Sequence, residues 1–170
     1  MRKAFLANAA IAAGLLAAMP AAAAPEWNTI LLEKVVDRTP DQVWAKIGGY
    51  CAIQQWLKLN SCVITAGNGV SVGTNRRLNN RIDEIIVAAT PHSYTYAQQP
   101  SDIQPVSPIF YHGTLAVEPL DGGRKTKIVY TLFYDISNLD TPEKRAADRA
   151  QRTQHFGEGL DRMKAMAEAQ

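Results

Sequence analysis

Hydrophobic positions change their period twice along the chain. From Trp27 to Asp37 (WNTILLEKVVD) β-branched and apolar residues mix without a helical repeat and stop at Thr39-Pro40, which predicts a first strand. Thr39 or Asp41 then caps a short helix that takes Pro40 in its first turn, gathers Val43, Trp44 and Ile47 on one side, and ends at Gly48-Gly49. Tyr50 to Leu59 predicts a second short helix, with Ile53, Trp56 and Leu57 at 3-and-4 spacing. From Ser61 onward the pattern becomes a meander of Cys62–Ala66, Thr74–Leu78, Ile82–Ala89, Tyr94–Gln98, Ile109–Glu118 and Lys125–Asp135. Gly67-Asn68-Gly69, Asn79-Asn80, Pro91-His92-Ser93 and Asp121-Gly122-Gly123 supply turns between them, and consecutive strands are antiparallel neighbours by default. After Asn138 the helical period returns. Thr141 is the N-cap, Pro142 takes the first position, Glu143 suits the positive end of the dipole, and a long helix runs toward Gln170. The expected class is α+β: a curved antiparallel sheet of about seven strands wrapped on a long C-terminal helix, with two short helices after the first strand.

The stripe that the long helix turns to the sheet reads Ala146, Ala150, Thr153, Phe156 or Gly157, Leu160, Met163 and Ala167. Small residues dominate it, and Gly157 and Gly159 each cost about 1 kcal/mol of helix propensity. Either the helix backbone approaches the sheet closely, or the missing volume leaves room for a ligand. Strand parity selects one register for the Asn79-Asn80 hairpin. A loop over 79–81 pairs Leu78 with Ile82 and Arg76 with Glu84, whereas a two-residue loop opposes Leu78 to Arg81. The first register places Arg76, Leu78, Ile82, Glu84 and Ile86 on one face, which the apolar members mark as concave. A carboxylate there is costly unless paired, so Arg76 and Glu84 form a buried pair that fixes register or, alternatively, one that binds the polar end of a ligand. In the strand from Ile109, Tyr111, Gly113 and Leu115 alternate inward. His112 then faces outward unless a bulge shifts the register; as the sole polar group of this strand that titrates near neutrality, it stands as an acid/base candidate.

Composition removes several function classes. The chain carries 18 Lys and Arg against 16 Asp and Glu, and Arg2 and Lys3 account for the excess, so the remainder cannot supply the charge that nucleic-acid binding needs. The start itself has the order of a secretory leader: basic Met1-Arg2-Lys3, an apolar stretch from Ala4 to Met19, and a small-residue cleavage site at Pro20 to Ala24. The expected division is a leader over 1–23, cut after Ala22 or Ala23, and a single domain over 24–170. At about 15 residues the apolar stretch is too short for a stable membrane anchor, and a periplasmic or secreted location follows. In such a compartment Cys51 and Cys62 pair as a disulfide or stay as two buried thiols. Three histidines and two cysteines show no metal-ligand spacing, and no cofactor motif or activated nucleophile is present. His92 lies in a turn and His155 is expected to be solvated. The stiff stretch Gln99 to Pro108 (QPSDIQPVSP) is either a lid over a cavity or a rigid connection.

The order of elements, together with Thr39-Pro40-Asp41-Gln42-Val43-Trp44, Trp56, Gly73-Thr74-Asn75-Arg76, Arg81-Ile82-Asp83-Glu84, Ile109 to Leu115 and Gly159-Leu160, resembles the helix-grip fold of the START and polyketide-cyclase (SRPBCC, Bet v 1-like) superfamily. The resemblance spans residues 27 to 168. It implies a cavity between sheet and long helix that takes apolar or aromatic small molecules, but no single activity, since members include receptors, carriers, cyclases and lyases. It also matches Glu84 to an inward carboxylate and Tyr111 to a ligand-reaching tyrosine of the plant abscisic-acid receptors. Three expectations follow. One is an exported carrier with Arg76, Glu84 and Tyr111 as polar anchors and Trp44, Trp56, Ile86, Leu115 and Gly159 around the ligand. Another is a lyase or cyclase using Glu84, Tyr111 and His112 on an aromatic substrate. The last is an accessory subunit acting by protein contact.

Overall fold

The computed structural model describes residues 26–99 and 110–169. The leader expected over 1–23 and all but the first residue of the lid expected over Gln99–Pro108 lie outside the described residues. Strand β1 (Trp27–Val36) leads to helices α1 (Pro40–Ile47) and α2 (Ile53–Trp56). Strands β2 (Cys62–Ala66), β3 (Asn75–Leu78), β4 (Ile82–Thr90), β5 (Ser93–Gln99), β6 (Tyr111–Leu120) and β7 (Lys125–Asp135) follow, and helix α3 (Pro142–Glu168) closes the chain. All strand pairs are antiparallel in one seven-stranded sheet of order β1-β7-β6-β5-β4-β3-β2, the expected meander with β1 returning to pair with β7.

Local chemistry places these elements. The Thr39 hydroxyl accepts from the Gln42 backbone N–H while the Gln42 side chain accepts from the Thr39 N–H, a capping box that fixes the start of α1. The Thr141 hydroxyl caps α3 by accepting from the Lys144 N–H. Asn79 and Asn80 both adopt positive φ, 50° and 58°, which makes the β3–β4 connection the three-residue loop and pairs Leu78 with Ile82 and Arg76 with Glu84. Helix α2 is shorter than the Tyr50–Leu59 expected, because Lys58 turns to positive φ (54°) and Ala52 offers no side chain to cap the start.

Cys51 and Cys62 form a disulfide with Cα atoms 5.5 Å apart, pinning the α1–α2 connection to β2. Replacing both cysteines by serine is expected to lower stability by about 3 kcal/mol, the loop-closure entropy for a short loop, read as a lower urea midpoint, with the slope rising slightly as the unfolded chain is freed.

Helix α3 crosses the concave face, but its buried residues are Phe156, Gly159, Leu160, Met163 and Ala167. Ala146, Ala150 and Thr153, expected on the same stripe, are exposed. The inward row instead continues through Arg145, Asp148 and Arg152, which are half-buried. Both rows satisfy helical spacing; the charged one faces in because Arg152 lies against tyrosine rings. The interior below is rich in hydroxyls, since all six tyrosines of the chain are buried. Among the described residues no helix is long and apolar enough to cross a membrane.

Candidate functional site

The β3–β4 register brings Arg76 and Glu84 side by side on the concave face, where they are 0% and 4% exposed. Arg76 Nε donates to Glu84 Oε2 at 2.7 Å, and Nη2 lies 2.6 Å from the same oxygen. Nη1 donates to the Tyr50 carbonyl, and the guanidinium lies 4.0 Å from the Tyr50 ring centroid and 4.8 Å from that of Tyr96. Burial raises the Glu84 carboxyl above its usual range, and the Arg76 charge and hydrogen bond pull it part of the way back. Burial works against the Arg76 charge too, yet Glu84 and the surrounding tyrosines hold it on.

In front of this pair a cavity of about 370 Å³ opens between α2, strands β3 to β6 and the first half of α3. Ile53, Leu57, Leu59, Leu78, Ile82 and Phe156 give it apolar walls. Glu84, Tyr96 and Tyr111 supply polar atoms on the sheet side; Asn79, Gln98, Asp148, Gln151, Arg152 and His155 add more. Tyr96 shares a 2.5 Å hydrogen bond with the buried Tyr130 hydroxyl. Its ring is admitted by Gly113 on the neighbouring strand, where a Cβ would overlap it. Burial raises the pKa of Tyr96, Tyr111 and Tyr130 above the usual tyrosine range, so all three stay neutral hydroxyls near neutral pH. Arg152 Nε donates to both Asp148 oxygens at 3.0 Å, and its guanidinium lies 5.4 Å from the Tyr111 ring and 4.5 Å from that of Tyr134. Burial, followed by contact with Asp148, pushes Tyr134 up to about 12.

Of the residues named from sequence, Glu84 and Tyr111 border the cavity and Arg76 stands behind Glu84. Trp56 and Leu115 do not reach it; both are fully buried in solid core. Trp44 and Ile86 line a second, smaller pocket of about 280 Å³. Gly159 lies where a Cβ would come within 3.2 Å of both Trp56 and Leu57, a close helix approach. β6 pairs without a register shift on either side, so His112 sits half-buried on the face opposite Tyr111. His155 is exposed, as expected, and also borders the cavity with its ring edge-on to Phe156. Sequence reasoning did not single out Tyr96, Gln98, Asp148, Gln151 or Arg152. The alternation Tyr94, Tyr96 was a usable signal for Tyr96, but nothing in the sequence marked the charged row of α3 as inward.

Solved structures share this architecture. A protein from Nitrosospira multiformis is 22% identical and superposes with a TM-score of 0.62, covering 81% of this chain and 94% of its own. Ara h 8.0201 is 18% identical with a TM-score of 0.59, over 84% and 98%. Truncated norcoclaurine synthase from Thalictrum flavum is 15% identical with a TM-score of 0.64, over 88% and 98%. At these identities the likeness establishes the fold. No curated protein matches the chain in sequence. The profile of the family described as polyketide cyclase / dehydrase and lipid transport matches residues 29–168, nearly all of the domain built above. The chain belongs to that family.

Proposed function

We propose that the chain is an exported ligand-binding protein that holds an apolar or aromatic small molecule between the sheet and α3. The observation that carries this reading is the cavity. Its roughly 370 Å³ lies in the range of small-molecule sites, and apolar walls with a few convergent polar groups are the usual composition of such sites. In this reading the ligand body packs on Ile53, Leu57, Leu78 and Ile82, while Tyr96, Tyr111 and Glu84 meet its polar end. Arg76 is a positioning residue that holds Glu84. The leader at 1–23, the domain at 24–170 and a periplasmic or secreted location belong to the same proposal, and the disulfide is compatible with them.

Native mass spectrometry of protein purified from its own host is expected to show a retained mass that is lost on denaturation. Tyr111→Phe should weaken binding of that molecule by about 5- to 10-fold, one hydrogen bond in a buried site, without lowering the melting temperature. Protein that carries no small molecule and binds none from an aromatic library would refute the proposal.

A second reading, a lyase or cyclase, is favoured by one observation: Glu84 borders the cavity with its carboxyl raised above the ordinary range by burial, against the opposing pull of Arg76, which makes it a stronger base than an exposed carboxylate. Norcoclaurine synthase, of the same fold, has been solved with dopamine and hydroxybenzaldehyde bound. Under this reading Glu84→Gln abolishes turnover while the ligand still binds. Under the carrier reading there is no turnover to lose.

A further inference from the structure

The sheet has two edges, and the chain treats them differently. At β1 the exposed carbonyls are covered from α3. Arg149 donates to the Thr29 carbonyl at 2.9 Å and to the Asn28 side chain, Lys164 donates to the Val35 carbonyl at 2.8 Å, and Lys34 pairs with Asp161 at 2.5 Å. Those contacts blunt an edge that would otherwise offer unpaired backbone groups. Among the described residues the other edge, β2, is bonded only to β3. Its residues Val63 to Ala66 are all exposed, and no proline or charged residue occurs anywhere from Leu59 to Asn75. Val63, Ile64, Val70 and Val72 stay 53%, 36%, 67% and 60% exposed on this strand and the loop that continues it. Charge and proline, two of the usual guards against edge pairing, are absent; the strand is short, Cys62–Ala66, and bulges between Ile64 and Ala66.

We propose that β2 is a self-association edge, at which two copies of this chain pair β2 to β2 in antiparallel sense and continue the sheet across a two-fold axis. Charge and area favour a second copy as the occupant. An uncharged strand can lie against its own duplicate with no like-charge contact, and a two-fold pair needs only one self-complementary surface. The strand and its valines offer on the order of 500 Å² per copy, so the pair reaches about the 1,000 Å² lower limit of a specific interface. The association is therefore weak and reversible. Antiparallel partners share a face, so either Val63 or Ile64 meets its own counterpart on the axis. That axis runs perpendicular to the sheet, which keeps both concave faces on one side and leaves both cavities open.

Sedimentation velocity of the purified mature protein is expected to show dimer appearing between about 10 μM and 1 mM, with little dependence on salt because no charges meet. Val63→Lys puts two cations beside the axis and should weaken the dimer at least 10-fold while the melting temperature holds, since Val63 is exposed. Hydrogen exchange should slow at Val63 to Ala66 as concentration rises. A monomer throughout that range, a dimer indifferent to Val63→Lys, or slowed exchange at another surface only would each overturn the proposal.

Discussion

Replacing Arg76 by methionine is expected to cost about 3–5 kcal/mol, the penalty for leaving a buried carboxylate without its partner. Both groups are almost inaccessible to solvent, and Arg76 gives Glu84 Oε2 a hydrogen bond from Nε and a close charge contact from Nη2. The loss should also depend on pH. Burial already raises the Glu84 carboxyl and Arg76 counteracts it, so removing Arg76 leaves burial alone and raises the carboxyl further. A carboxyl raised in the folded state binds its proton more tightly there than in the unfolded chain. The variant is then most stable below the ordinary glutamate range, near pH 4, and loses about 1.4 kcal/mol per pH unit above it, until the folded-state group has itself ionised. Adding Glu84→Leu should recover most of the loss and flatten the profile, because an apolar pair of similar volume has no desolvation cost. Urea unfolding of the three proteins between pH 4 and 8 measures both effects. A single variant within 1 kcal/mol of the parent at pH 7 would mean that water reaches Glu84 and that the pair is not a buried one.

That pair is also where the sequence was most informative. The alternation on both sides of Asn79-Asn80 allowed one register in which apolar residues met apolar ones and charges met opposite charges, and β3 and β4 adopt it. Period and punctuation were sufficient for the strands and the caps because these depend on neighbouring residues. The cavity wall depends on distant ones. Arg152 and Asp148 face inward because the rings of Tyr111 and Tyr134, from β6 and β7, offer the guanidinium a place to lie. Hydrophobicity along α3 favoured Ala146, Ala150 and Thr153 for that row, and those residues face solvent. Gly159 illustrates the same limit: from sequence it stood equally for room and for close approach, and only the position of Trp56 beneath it decides.

Trp56→Ala is the second large effect expected, about 3–5 kcal/mol, as for truncation of a fully buried tryptophan. The indole is 0% exposed, packs edge-on to Tyr130 at 5.6 Å, and lies within 3.2 Å of where a Gly159 side chain would begin. It therefore acts on the ligand site through its neighbours. Leu57 and Phe156, which border the cavity, rest on the same layer of core, and the Trp56 carbonyl accepts from Arg162 Nε at 2.6 Å to tie α2 to α3. The truncation should remove stability and let α3 settle, with affinity changing only as the cavity changes shape. Trp56→Phe keeps most of the buried area and drops an indole N–H that has no hydrogen-bond partner among the described residues, so it should recover more than half of the loss. Thermal unfolding and ligand titration of the two variants, both run below the lower melting temperature, distinguish the roles. If Trp56→Ala abolished binding while leaving the melting temperature unchanged, the indole would be a direct ligand contact and the cavity would have to extend beneath α2.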